Sequence, residues 1–243
     1  TIDLKIKGSL ELIETYDLKT NATLVKNIEV SKNANVLRYA DNQSDALIQT
    51  KVIENVKVER DGNVKCAYVE LAANSIEMEI NYALIGENAS ATIRLAALAR
   101  NVEKKHITLS LVHEAPYTTG IMDNYGVVKN QAGLVIDGIG TIKKANHQSS
   151  SHQTNKIIVF DKDCKAKANP YLYIDEYDVK ASHGASVGKI DEEHLYYLQS
   201  RGLSKEDAMH LVTYGYFIPV LEFIDNDELK ELFNDTLKEK VGI

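Results

Sequence analysis

The sequence is poor in the residues from which self-contained chemical sites are built. Of 243 residues only two are cysteine, Cys66 and Cys164, far apart in the chain. That excludes a disulfide framework and a CxxC metal site within one chain. Any metal chemistry must therefore use few protein ligands or borrow some from a second chain. No apolar run approaches the roughly 20 residues that a membrane span needs, and the opening TIDLKIKGSLEL lacks the basic and apolar parts of a signal peptide. Acidic residues outnumber basic ones, 35 to 28, for a net charge of −7, and no Lys/Arg run is dense enough to follow a phosphate backbone. Nothing resembles a phosphate-binding Walker A loop, so any nucleotide chemistry would come from another chain. With 44% apolar residues to supply a core, the chain reads as a folded, soluble, cytoplasmic protein.

What is present is alternation. KVIENVKVERDG, VKCAYVELA, SIEMEINYALIG, ATIRLAALAR and HITLSLVHEA carry apolar residues at a period near two, from residue 5 to about residue 180. This is the pattern of half-buried strands. The turns between them draw on Asn, Asp, Gly and Ala: Asn33-Ala34-Asn35, Asp61-Gly62-Asn63, Glu87-Asn88-Ala89 and Gln131-Ala132-Gly133, several of them 26 to 28 residues apart. A β-sandwich also gives short strands and polar turns. A solenoid of stacked strands fits better, because small residues let successive coils approach and similar segments repeat along an axis. Asp137-Gly138-Ile139-Gly140 reads as a glycine turn of such a solenoid rather than a phosphate cradle, since no helix follows it.

At Asp191 the period changes. Asp191 caps a helix with Glu192 and Glu193 in its first turn, Leu195 and Leu198 on its stripe, and Arg201-Gly202 at its close. Ser204 starts a second helix, with Asp207 at the capping-box position, and Pro219 interrupts it. A third follows from about Asp225 with Leu229, Leu232, Phe233 and Leu237 on one face. Residues 1–190 are thus expected to form the β core and 191–243 a helical domain. That domain has two compatible jobs: capping the open end of the solenoid, whose last strands would otherwise expose unpaired backbone groups, and docking another protein.

KASHGASVGKIDEEHLYYLQSRGLSKEDA, with SSSHQTNKIIVF and PYLYIDEYDV upstream, resembles the C-terminal half of the SufB/SufD family, the scaffold proteins of the SUF iron–sulfur cluster assembly machinery. HEAPYTTGIMDNYGVVKNQAGLVIDGIGTIKKA extends the similarity back. The resemblance implies a mainly β fold, a right-handed parallel β-helix with a small C-terminal α-helical domain that binds the ABC-type ATPase SufC. The family's usual N-terminal helical segment has no match here, which reads as a compact form or a trimmed chain.

The resemblance also implies site residues. His183 matches the histidine of the SufD-like SHGA motif, and Cys164, six residues before Pro170, matches the SufB-like cysteine. In the paired scaffold these two come from different subunits and face each other across their contact. A chain carrying both is expected to build a transient iron–sulfur cluster site as a homodimer or with a SufB/SufD-like paralogue. Thiolate suits iron and sulfide, and imidazole can complete the iron shell. Sparse ligation suits a scaffold that releases its cluster. Cluster type and the use of a reduced flavin stay open. So does the branch: Gly184 stands where SufB-like chains carry glutamate, and Ala181 where many SufD-like chains carry cysteine.

On the residues alone, His183 reads more readily as a hydrogen-bonding group in a Ser-Gly turn than as a ligand, and it is the motif that favours a ligand. Lys162 and Lys165 are expected to lower the Cys164 thiol pKa, although a cysteine is equally a small core residue. Cys66 reads as packing. His147 and His152 in NHQSSSHQ read as polar turn filling, His106 and His113 have no nameable partners, and His194 is solvated. The expected role is that of a noncatalytic scaffold. The alternatives are a secreted-type β-helix enzyme acting on carbohydrate through Asp161, Asp163 and Asp178, for which the region lacks stacked aromatics, and a purely structural solenoid subunit.

Overall fold

The computed structural model describes residues 1–44 and 48–241. Its strands are β1 (Ile2–Ile6), β2 (Leu10–Tyr16), β3 (Ala22–Val30), β4 (Asn35–Asn42), β5 (Gln49–Val58), β6 (Asn63–Glu70), β7 (Ser75–Leu84), β8 (Ser90–Ala99), β9 (Lys104–His113), β10 (Thr119–Val128), β11 (Gly133–Ile142), β12 (Ser150–Val159), β13 (Lys165–Ile174) and β14 (Lys180–Lys189). Odd-numbered strands stack into one seven-stranded sheet and even-numbered strands into a second. Every pairing is parallel, so the chain is a β-solenoid with two strands per coil. The coil length drifts from 24 residues, where Ile2 lies beside Lys26, to 32, where Gly133 lies beside Lys165. That drift is why the turn spacing in the sequence is not constant.

The turn vocabulary has a conformational cause. Asn33, Asp61, Asn88, Tyr117 and Gln148 each stand two residues before an even strand, with φ between 55° and 61°. This left-handed region is one that Asn and Asp tolerate best. At each, the backbone N–H donates to a carbonyl of the next coil, from Asn33 to Arg60 through to Gln148 to Asp178. Asp137-Gly138-Ile139-Gly140, expected as a turn, instead lies inside β11. Its glycines face the interior, where a Cβ on Gly138 would come within 2.6 Å of Gln153 Oε1 and one on Gly140 within 3.0 Å of Ser151 Oγ.

In-register parallel stacking sorts the interior into columns. Leu12, Arg38, Cys66, Ile93, Met122, Gln153 and His183 form one such column on the inward face of the even sheet. Along the axis the interior changes character. Ile80, Ile93, Leu95, Ile107 and Leu109 make an apolar middle. Below it, toward the N-terminus, lies a buried ionic network. The Arg38 guanidinium donates to Glu54 Oε1 and Oε2 at 2.8 and 3.2 Å and to Glu14 Oε1 at 2.8 Å. Lys26 pairs with Glu54 at 2.5 Å and Glu14 at 3.2 Å. The Tyr68 hydroxyl also donates to Glu54. Two cations and two carboxylates thus balance, with Arg38, Lys26 and Glu54 buried and Glu14 partly so.

Three helices follow, α1 (Glu192–Ser200), α2 (Lys205–Leu221) and α3 (Asp227–Val241); residues 242 and 243 of the expected helical domain lie outside the described residues. The caps are as expected: Asp191 accepts from the N–H groups of Glu193 and His194, Ser204 accepts from that of Asp207, and Gly202 takes φ +97°. Pro219, expected to interrupt α2, sits in its last turn and the helix runs on to Leu221. Among the described residues no helix is long and apolar enough to cross a membrane.

The helices do not cap the open end of the solenoid. They pack on the outer face of the even sheet, where Tyr39, Ala67, Val69, Leu71, Ala96, Leu98 and Val127 form a second core with Met209, Phe217, Val220, Phe233, Leu237 and Val241. Cations on the sheet hold the helix ends. Arg94 lies 4.1 Å from the Phe223 ring centroid and donates to the Pro219 carbonyl and Glu222. Arg100 donates to the Lys240 carbonyl at 3.2 Å and Lys129 to that of Val241 at 2.5 Å. These are C-terminal helix carbonyls, where positive charge is favourable. Leu232, assigned to the buried face of α3, is exposed.

Glu54 is the keystone of the ionic network. Although burial alone would raise its pKa, Arg38 and Lys26 hold the carboxyl at about 2, below its ordinary 4.5. Its contribution to stability is therefore full above the unfolded-state value and is lost as pH falls from about 4.5 toward 2. Glu54→Gln, which leaves two cations facing one carboxylate, is expected to destabilise the fold by about 3–5 kcal/mol at pH 7. Urea unfolding at pH 7 and pH 3 checks this: the difference between variant and wild type shrinks at the lower pH.

Candidate functional site

The last coil of the solenoid is open. Every residue of β14 is exposed, and β13 is at most half-buried. Each is the final strand of its sheet, so one row of backbone hydrogen-bonding groups in each is unpaired. Exposed Tyr171, Tyr173, Ile174, Tyr177 and Val187 surround this end.

His183 lies in the middle of β14 and not in a turn. Lys180–Lys189 has only one branched aliphatic residue, Val187, so alternation could not reveal it as a strand. Parallel neighbours point their side chains to the same face. His183 is in register with buried Gln153, so it stands on the inward face with Ala181 and Ala185 to either side. Ser182, Gly184 and Ser186 take the outward face. The cysteine position that many SufD-like chains fill two residues before the histidine is therefore inward, and alanine occupies it here. The SufB-like glutamate position, Gly184, is outward, and nothing lies within 4 Å of a Cβ there.

Cys164 precedes β13 at the opposite corner. It packs partly against the solenoid core, and its Sγ lies 3.5 Å from the Asn130 carbonyl. It also lines one end of a groove of about 1300 Å³ that crosses the N-terminal ends of the odd strands β5 to β13, with Lys104, His106, Lys165 and Lys167. The expected lowering of its thiol pKa does not occur. Burial pushes the thiol up, and the Asp161 and Asp163 carboxylates add to the rise, outweighing the backbone hydrogen bond that favours thiolate. The flanking lysines contribute nothing that offsets them. Cys66 is fully buried as expected, its thiol pushed up to about 11 chiefly by burial.

One chain does not bring Cys164 and His183 together. Gln153, beneath His183, donates to the Tyr171 carbonyl, so His183 faces the far part of β13. That places Cys164 roughly 20 Å away along the strand direction, at 3.3 Å per residue. Among the described residues no group of three His, Cys, Asp or Glu side chains could hold a metal ion. Soft thiol and imidazole donors suit iron, but each stands alone on the rim of the same open end.

The remaining candidates are structural. Asp161 accepts from the Asn130 N–H at 2.5 Å, and the Asp178 carbonyl accepts from that of Gln148 at 2.6 Å. They serve opposite corners, at the two ends of β13, and do not form the facing carboxylate pair a glycosidase needs. His147 packs edge-on to Tyr117, His106 pairs with Asp137 at 2.6 Å, and His194 is exposed beside Asp191. His152 is outward on β12, against Ser182 at 2.6 Å. His113 is buried against Thr118, and burial pulls its pKa down to about 4. Gln153 was not singled out from the sequence. The signal was the period-two polar series Ser151, Gln153, Asn155 in SSSHQTN, an inward face rather than turn filling.

Comparisons with known proteins give the chain a family. The family model described as "SUF system FeS cluster assembly, SufBD core domain" matches residues 1–216. The chain is 27% identical over 240 residues, 96% of its length, to the iron-sulfur cluster assembly protein SufD of Bacillus subtilis, covering 55% of that protein. It is 28% identical over 148 residues, 61% of its length, to SufD of Escherichia coli, covering 35% of it. To an iron-sulfur cluster assembly SufBD family protein of Staphylococcus epidermidis it is 25% identical over 205 residues, 84% of its length and 44% of the relative's. The chain thus spans between about a third and just over half of these relatives. With the core-domain match extending along the whole solenoid and into α2, the chain belongs to the SufB/SufD family of the SUF iron–sulfur cluster assembly system.

Proposed function

We propose that the protein is a noncatalytic, cytoplasmic scaffold subunit that builds or passes on a transient iron–sulfur cluster at a contact between two chains. The observation that carries the reading is the open last coil, which bears Cys164 and His183 on one rim but roughly 20 Å apart. An edge of unpaired backbone groups surrounded by exposed aromatic side chains is a surface suited to another chain. Two solenoids meeting end to end, with β13 on β13 and β14 on β14, pair their edges antiparallel. That reversal carries the partner's cysteine toward the histidine end of the first chain, and a two-fold axis makes the site twice. The second chain is a copy of this one or a SufB/SufD-like paralogue. The cluster is cargo, held by few protein donors with sulfide or exogenous thiol completing the iron shell.

The ATPase partner docks on the helices. With the inner face of α2 buried against the solenoid, its solvent face presents Leu211, Gly215 and Ile218, apolar and exposed. A SufC-like ABC ATPase is the partner this reading assigns to that face. Leu211→Asp combined with Ile218→Asp is expected to weaken capture of the ATPase by at least about tenfold while leaving the melting temperature unchanged. Undiminished binding would move the docking site elsewhere.

Anaerobic reconstitution with ferrous iron and sulfide tests the scaffold role. Wild type is expected to take up iron and show visible absorbance in a species of two chains. Cys164→Ala and His183→Ala are each expected to lose most of both while remaining folded. Uptake indifferent to both changes would leave the chain a structural subunit.

A further inference from the structure

The coil beneath His183 carries an unmet hydrogen-bonding demand. Gln153 is fully buried on the inward face of β12. Its amide nitrogen donates to the Tyr171 carbonyl at 2.6 Å, which fixes the orientation of the amide. Oε1 is buried and has no hydrogen-bond partner. Gly138 opposite makes space for that oxygen, because a Cβ there would come within 2.6 Å of it. A buried amide oxygen left without a donor is unfavourable, so a nearby donor would be drawn to it.

His183 is that donor. It is the register partner of Gln153 on the next strand, which places the two side chains on one face about 4.8 Å apart at their roots. Ala181 and Ala185 to either side leave the imidazole free to turn down toward the amide. We propose that Gln153 is a positioning residue: Oε1 accepts the N–H of one ring nitrogen of His183 and so fixes the tautomer. The other nitrogen then presents its lone pair out of the open end, in the form that binds metal. Metal-binding histidines are commonly oriented this way by an acceptor behind them. The use of the second nitrogen rests on the scaffold reading above, whereas the contact itself does not.

The test uses metal-free protein labelled with ¹⁵N-histidine at pH 8, with ring-nitrogen shifts reporting the tautomer and His183→Asn identifying the resonances. A single tautomer of His183 is expected in wild type, and a mixture in Gln153→Met, with the other six histidines unchanged. Gln153→Glu, which keeps an acceptor at the same place, is expected to retain the single tautomer; it also serves if the Met variant fails to fold. A mixed tautomer in wild type, no response to Gln153→Met, or loss of the single tautomer in a folded Gln153→Glu overturns the proposal. Iron uptake separates the two readings: uptake that requires His183 in a protein whose tautomer ignores Gln153 refutes only the positioning role. A tautomer that follows Gln153 in a protein that takes up no iron supports the contact and refutes only the ligand reading.

Discussion

Parallel, in-register stacking is the constraint from which the rest follows. Each strand satisfies its backbone groups on the strands one coil before and one coil after it, and each side chain stands over its counterpart one coil below. The interior is therefore a set of columns whose chemistry varies along the axis, ionic near the N-terminal coils, apolar in the middle and amide-rich under the last coil. The same rule leaves a remainder. A stack has ends, and the final coil keeps a row of donors and acceptors that no intramolecular strand can pair.

The helical domain could have relieved that remainder and does not. Its apolar stripes are taken up by the flank of the even sheet, where β4, β6 and β8 bury both faces in their C-terminal halves, and Arg94, Arg100 and Lys129 fix its helix ends there. The open end that carries Cys164 and His183 and the outer face of α2 both stay exposed. On the proposed reading the first takes a like chain and the second an unlike one. Their separation would let a single domain take part in both proposed contacts without competition between them.

Much of this was legible from residue pattern. Period-two runs marked the strands, Asn and Asp marked the left-handed corners, and Asp191, Ser204 and Gly202 marked the helix boundaries, each through a local mechanism. The flank packing was also legible, though unread: AYVELA and AALA interrupt the alternation with consecutive apolar residues, the mark of strands buried on both faces. β14 was hidden for the opposite reason, because its Ala, Ser and Gly have almost no apolar contrast to alternate. The site lay further out of reach. Sequence motifs pointed to Cys164 and His183, but the separation between them, the rise in the Cys164 pKa and the acceptor beneath His183 all arise from register, which couples residues 30 positions apart.

If a site is completed only across two chains, variants that each lack one ligand should complement one another. Cys164→Ala and His183→Ala chains, each unable to take up a cluster alone, are mixed, allowed to exchange, and reconstituted with iron and sulfide, with bound iron measured on dimers resolved by mass. One chain of a mixed dimer still supplies the cysteine and the other the histidine, so one of the two sites is intact and iron should return at half the wild-type amount per dimer. Mixed dimers that hold no more iron than either variant alone would contradict a shared site.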